Sequence, residues 1–230
     1  MSSDAPIEIE LKLALPDSAG YDTVRGWLDA EADLVAARSQ QNLYLDTADL
    51  RLRGARAMLR VRVEPDAVRA TLKTKARLQD GLMCSVEHEA SLDAELAARF
   101  RRAPPSRLDP RALPIAAAVL PLLLAADEPE PPRLHVLGAL WNERRSYRLD
   151  RRLLDGQEGT IPFDLDRCLG PSGVPRLELE LEHPDAAAFA DDVYARLLAL
   201  GVLATPSEQS KYSYFLEGLE ATGRDEPSEA

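Results

Sequence analysis

The chain has 230 residues, a net charge of −11, 45% hydrophobic residues and 29% charged residues. That balance describes a globular protein long enough to bury a substantial core. No apolar run reaches the roughly 20 residues of a membrane span, and the acidic balance argues against a broad nucleic-acid surface, which needs a basic face.

The N-terminus, Met1-Ser2-Ser3-Asp4, has neither the basic start nor the apolar stretch of a signal peptide. A cytoplasmic protein without membrane or nucleic-acid partners is expected. Cys84 and Cys168 offer no metal spacing and no disulfide framework, and read as buried reduced thiols.

Residues 7–13, Ile7-Glu8-Ile9-Glu10-Leu11-Lys12-Leu13, alternate apolar and charged residues strictly. This is a β-strand with two unlike faces, predicted over 7–15 and ended by Pro16. A helix is predicted over 17–36, capped by Asp17 or Ser18, with Tyr21, Val24, Trp27, Leu28 and Leu34 near helical spacing. Residues 41–47 form a strand running into a turn. Strands at 57–64 and 68–76 form a hairpin, another strand follows at 82–91, and 92–102 reads as a helix. Pro104-Pro105 breaks the chain. The Ala- and Leu-rich stretch 111–125 is predicted helical, bent or divided by Pro121, and Asp127 to Pro132 forms a stiff surface linker. Strands are expected at about 134–141, 143–150, 160–167 and 176–183. An amphipathic helix spans 185–200, stopped at Gly201. A last short element begins at Lys211-Tyr212-Ser213-Tyr214-Phe215, and a polar, disordered tail closes the chain.

Strands outnumber helices and follow one another hairpin-fashion, so the sheet should be mainly antiparallel, and about eight strands make closure into a barrel plausible. The charges are sorted by strand. Arg60 and Arg62 share one, Lys73 and Lys75 the next. Glu87 and Glu89, then Glu178, Glu180 and Glu182, occupy two others. Solvent-facing surfaces usually mix signs. Like charges about 7 Å apart cost on the order of 2 kcal/mol per pair at an effective dielectric near 20, so such sorting implies ligands of opposite sign. Arg and Lys clusters suit phosphate oxygens. Glu clusters suit the hard cations Mg²⁺ or Mn²⁺. Residues 51–77 fit a small polyanion held internally, with Arg51, Arg53, Arg56, Arg60, Arg62, Arg69, Lys73, Lys75 and Arg77 against Glu64 and Asp66. If the charged faces point inward, the helices near 17–36, 111–125 and 185–200 must cover the apolar outer faces.

Glu8-x-Glu10-x-Lys12 resembles the defining motif of the CYTH domain family, the triphosphate tunnel metalloenzymes. The resemblance continues in family order through Tyr44-Leu45-Asp46-Thr47, Leu59-Arg60-Val61-Arg62, Thr71-Leu72-Lys73-Thr74-Lys75, Glu87-x-Glu89, Glu178-x-Glu180 and Ser210-Lys211. It implies an α+β fold, an eight-stranded antiparallel β-barrel with a charged interior and helices packed outside. It implies one CYTH domain over 1–220, with 221–230 as the tail. It implies Mg²⁺ or Mn²⁺ held by Glu8, Glu10, Glu178 and Glu180, and phosphate bound by Lys12, Arg60, Arg62, Lys73, Lys75, Lys211 and Arg145, with Arg144 able to take the place of Arg145. Glu8, Glu10, Lys12 and Lys211 would carry the catalytic role. Glu87, Glu89, Asp166 and Glu182 are lesser candidates, Glu182 being expected at its strand end. One departure is Ser85, where similar members often carry Arg.

The expected activity is metal-dependent hydrolysis of tripolyphosphate to pyrophosphate and phosphate. The implied partner is a small polyanion, tripolyphosphate or a nucleoside triphosphate, and a homodimer is compatible with the sequence. The long insert 103–133 resembles that of bacterial inorganic triphosphatases. The rivals on the same fold are a class IV-type adenylyl cyclase and a thiamine triphosphatase, and a rival of another class is a non-catalytic polyphosphate sensor. Trp27 and Trp141 are expected in the core. His88, His135 and His183 do not cluster, no Gly-rich Walker loop is present, and Ser210 reads as a packing or phosphate-contact residue rather than a nucleophile.

Overall fold

The structure, a computed structural model, describes residues 7–125 and 128–223. The expected tail beyond 223 lies outside the described residues. The strands are β1 (Ile7–Ala14), β2 (Ala32–Thr47), β3 (Met58–Val63), β4 (Val68–Gln79), β5 (Leu82–Ser91), β6 (Leu134–Asp150), β7 (Thr160–Leu169) and β8 (Pro175–Glu182), with a two-residue β9 (Thr205–Pro206). They run in the order β5-β4-β3-β2-β6-β7-β8-β1, all antiparallel, and β1 pairs back onto β5. The eight long strands therefore close into a barrel, which removes the exposed sheet edges an open sheet would leave. At the end of β1 that β5 does not reach, β9 takes over as partner, with Leu13 opposite Pro206.

The period-2 alternation gives the barrel an inverted polarity. Leu11, Leu13, Leu179 and Leu181 point outward and are buried under α1 (Ser18–Glu31) and α5 (Ala186–Ala199), against Val24, Trp27, Leu28, Phe189, Val193 and Leu197. On the opposite flank Leu43, Leu45, Leu59, Val61, Ala70 and Leu72 pack under α2 (Arg51–Gly54), α3 (Ala94–Arg102) and α4 (Ala116–Leu123), against Leu52, Phe100, Val119 and Leu123. Truncating such a buried leucine costs roughly 2–5 kcal/mol. The hydrophobic core thus lies between barrel and helices, and the barrel interior is left to polar side chains. A third apolar group sits inside one end, where Phe215 and Leu219 of α6 (Lys211–Ala221) pack on Tyr44, Leu140 and Cys168. Among the described residues no helix is long and apolar enough to cross a membrane.

Four expectations of local structure need correction. The first helix ends at Glu31, not 36, because Ala32 is extended and Leu34 belongs to β2, paired with Tyr147. No Gly or Pro marks that change, and pairing with β6 along nearly all of β2 overrides helical spacing. The strands expected at 134–141 and 143–150 are one, β6, running through Asn142. Trp27 is in the core, but Trp141 is 51% exposed on the outer face. The element at 211–215 is the start of a longer helix, α6, whose N-cap is Ser210 accepting from the Ser213 amide.

Candidate functional site

The inward faces meet in a cavity of about 310 Å³ whose lining includes Glu8, Glu10, Lys12, Arg60, Arg62, Lys73, Arg144, Glu180, Glu182 and Lys211, together with Gln40, Asn42 and Asn142. Strand register explains the set. Lys12 of β1 stands opposite Glu180 of β8, and Glu10 stands opposite Glu182. Arg60 and Arg62 of β3 stand opposite Thr71 and Arg69 of β4, and Lys73 lies opposite Glu87 of β5. Lys211 enters from the first turn of α6.

At the centre, Glu180 receives Lys12, Lys211 and Arg144 (Nη2 at 2.5 Å). Burial works against its charge, but these three cations outweigh it and hold the carboxyl well below its ordinary pKa. The same balance raises Lys12, where burial is outweighed by Glu10 and Glu180, and raises Lys211 well above its usual value through Asp166, Glu180 and Glu178. Asp166 is fully buried, accepts from Arg144 and lies 2.8 Å from the Lys211 ammonium.

Two regions are unbalanced. Arg60 and Arg62 form no ion pair among the described residues. Arg60 is buried with its Nε lacking a partner, and Arg62 reaches only the Asn42 amide oxygen at 3.3 Å. Burial, then Arg60 and Arg144, lower the Arg62 pKa to about 10. At the other pole, Glu8, Glu10 and Glu182 gather acid. Burial, then Glu8 and Glu10, push the Glu182 carboxyl up to about 7. Like charges directly opposite in a ladder are destabilising, so Glu182, set against Glu10, is short of positive charge as the two arginines are short of negative charge. In this structure Glu8 is held by Lys73 and by the Ser85 hydroxyl at 3.1 Å, and Glu10 lies 3.0 Å from Lys12.

Several expected residues lie elsewhere. Lys75 is exposed and outside the cavity. A β-bulge sets two residues, Lys75 and Ala76, against Ser85, Lys75 takes φ +54°, and Ala76 occupies the inward position. Arg145 faces outward onto Asp29 and the Tyr147 hydroxyl, and Arg144 holds the inward place. Glu178 is buried behind the lining, bound by Arg176 and Ser207. Glu87 pairs with Lys73 at 2.9 Å, while Glu89 accepts from Thr71. Glu182 is the last residue of β8, as expected, and it lines the cavity there. Sequence reading missed Arg176, which ties Glu178 to Ser207 and Gln209, and Gln40, Asn42 and Asn142, although all four share the parity of their charged neighbours. Of the other arginines in the basic segment 51–77, Arg53 and Arg56 line the cavity, Arg51 is paired with Glu128, and Arg77 is exposed.

Carboxylates are the hard oxygen donors that Mg²⁺ and Mn²⁺ take, and Glu8, Glu10 and Glu182 form a cluster short of positive charge, so the donor set fits such a cation. Among the described residues no three acidic, His or Cys side chains are assembled into a coordinating group as they stand.

A closed antiparallel barrel with an apolar exterior and a tunnel of opposed acids and bases defines the class of this protein. The CYTH domain family matches residues 6–210, and the chain belongs to that family. Among solved structures it is similar to HpAC1 of Hippeastrum, described as an adenylyl cyclase candidate with a dominant triphosphatase activity, at 22% identity over 92% of this chain and 96% of that one, TM-score 0.76. It is also similar to the bh2851 protein of Bacillus halodurans, an adenylate cyclase candidate (18% identity, 91% and 98% covered, TM-score 0.60), and to PH1819 of Pyrococcus horikoshii OT3 (14%, 91% and 98%, TM-score 0.57). At these identities the likeness speaks for the fold. No curated protein matches the chain.

Proposed function

We propose that the protein hydrolyses tripolyphosphate to pyrophosphate and phosphate with Mg²⁺ or Mn²⁺. The observation that carries this reading is the pairing of uncompensated poles in one cavity. Among the described residues Arg60 and Arg62 lack an anion, while Glu182 lacks a cation and its neighbours Glu8 and Glu10 are met only by lysines that also serve Glu87 and Glu180. A chain of phosphates with a divalent cation supplies both. Membership of the CYTH family and the triphosphatase description of the Hippeastrum protein support it.

Phosphoryl transfer needs positioning and charge stabilisation more than covalent chemistry. Arg60 and Arg62 hold phosphate oxygens at one side, and Lys73, Lys12, Arg144 and Lys211 continue the cationic wall along the cavity. Glu8, Glu10 and Glu182 would hold the cation, which would supply charge neutralisation and make the attacking water more acidic. Asp166 and Glu178 orient Lys211 from behind. The barrel wall limits access of bulk water, which strengthens every one of these interactions.

The test is phosphate release by purified protein from tripolyphosphate, ATP and thiamine triphosphate, with Mg²⁺ and Mn²⁺ separately. Tripolyphosphate turnover that falls at least about 100-fold in Glu10→Gln, on the scale of losing a transition-state electrostatic contact, supports the reading. Cyclic AMP formed from ATP, or tight binding without product, replaces it by the cyclase or the sensor.

A further inference from the structure

The lysines of the cavity are already engaged. Lys73 contacts Glu8 and lies 2.9 Å from Glu87; Lys12 contacts Glu180 and lies 3.0 Å from Glu10. Each of the two lysines thus pairs with a carboxylate of the acid cluster, Glu8 or Glu10, that the cation would need. Among the described residues Arg60 and Arg62 have no such partner.

From this sharing we infer that Lys73–Glu8 and Lys12–Glu10 are exchange pairs, which make divalent cation and polyphosphate each bind more tightly in the presence of the other. A cation taking Glu8 and Glu10 releases the two ammonium groups for phosphate oxygens. A polyphosphate taking the ammonium groups releases the two carboxylates for the cation. A cation alone leaves Lys73 with only Glu87 and Lys12 with only Glu180, and a polyphosphate alone leaves Glu8 with only the Ser85 hydroxyl, so either ligand by itself strips internal pairing from charges held in the cavity, which is costly. When both bind, every charge finds a new partner. The coupling is reciprocal by thermodynamic necessity. The site as it stands has no assembled set of three donors, in keeping with carboxylates that must turn from lysine before they coordinate. Arg60 and Arg62, having no pair to exchange, form the part of the site open to anion from the start.

This inference rests on the reading of the cavity as a cation–polyphosphate site but not on turnover, so it is tested by binding. Tripolyphosphate chelates metal in solution, so each ligand is titrated alone by calorimetry. Tripolyphosphate in EDTA should bind Glu8→Gln at least about fivefold more tightly than wild type, the low end of usual coupling factors, because Lys73 then answers only Glu87. At pH 8.5, where the Glu182 carboxyl is ionised, Glu182→Gln removes the same charge from the cluster but takes no ion-pair partner from a lysine, and should shift affinity clearly less. Mn²⁺ without anion should bind Lys73→Met more tightly than wild type by a similar factor, and Arg62→Met clearly less so. Equal shifts in each target and control would reduce the effect to general charge and overturn the inference, as would unchanged or weaker binding. Should Lys73→Met fail to fold by circular dichroism, Glu10→Gln titrated with tripolyphosphate puts the same question through Lys12. A protein that hydrolyses nothing still gives these curves, so the two proposals can fail separately.

Discussion

Lys12 and Glu180 face each other directly across the β1–β8 ladder, and the lysine ammonium donates to the carboxylate while Arg144 and Lys211 reach the same group. One buried anion thereby serves three cations, Lys12 buried and Arg144 and Lys211 mostly so. Removing one partner of a buried ion network typically costs about 3–5 kcal/mol, because the remaining charges are left without compensation. Glu180→Ala should lose stability on that scale in urea unfolding of the metal-free protein. A loss below about 1 kcal/mol would show that the cations find other partners, Asp166 first among them.

Arg144 and Arg145 are neighbours with opposite fates. Arg144 points inward, with Asp164 at 2.5 Å and Asp166 at 2.6 Å, whereas Arg145 pairs outside with Asp29 at 2.9 Å. Arg145→Ala should cost no more than about 1 kcal/mol, as exposed pairs do, and leave turnover within about twofold. Arg144→Ala should reduce tripolyphosphate turnover by at least about 100-fold. Phosphate-release assays on the two variants check the assignment, and the reverse order would reject it.

The alternation of Ile7 to Leu13 and of Arg176 to Glu182 made the strand faces legible, since period 2 leaves only two sides. The sorting of charge by strand disclosed which side was internal. What the sequence concealed has physical causes. At Arg144-Arg145 parity alone is ambiguous until the partner strand is known, and Asp164 and Asp166 of β7 settle it by standing opposite Ser146 and Arg144. At Lys75 a bulge shifts the parity, and nothing in Lys73-Thr74-Lys75-Ala76 announces a positive φ. Between Glu31 and Ala32 the change from helix to strand carries no Gly or Pro, and tertiary pairing decides it. Trp141 misled because a tryptophan in a strand usually packs, while here it stands 51% exposed on the outer face of β6.

Lys73 and Lys75 should separate as cleanly as the arginines. Lys73 is buried between Glu8 and Glu87, and Lys75 is exposed beyond the bulge. Lys75→Ala should leave KM for tripolyphosphate within about twofold and stability within about 0.5 kcal/mol, the usual range for surface changes. Lys73→Ala should weaken substrate binding by at least about tenfold, the loss of a charge-assisted contact of roughly 1.5–3 kcal/mol. Steady-state kinetics at fixed Mn²⁺ measures both. A large effect at Lys75 would mean that the bulge rearranges when substrate enters.

The Glu182 carboxyl gives the metal-free protein a pH dependence of a definite sign. Its pKa rises from 4.5 to about 7 on folding, through burial and then Glu8 and Glu10. Between those values the folded protein keeps a proton that the unfolded chain gives up. Stability therefore falls as pH rises through that window. The contribution is whole below about pH 4.5 and is lost once pH passes about 7. Wild-type protein in EDTA should show a lower Tm at pH 8 than at pH 5, and Glu182→Gln, which cannot ionise, should narrow the difference. Mn²⁺ should raise the Tm more at pH 8 than at pH 5, because the ionised cluster is the form that holds a cation. An identical pH dependence in wild type and Glu182→Gln would show that Glu182 does not share the field of Glu8 and Glu10, and would take it out of the cation site.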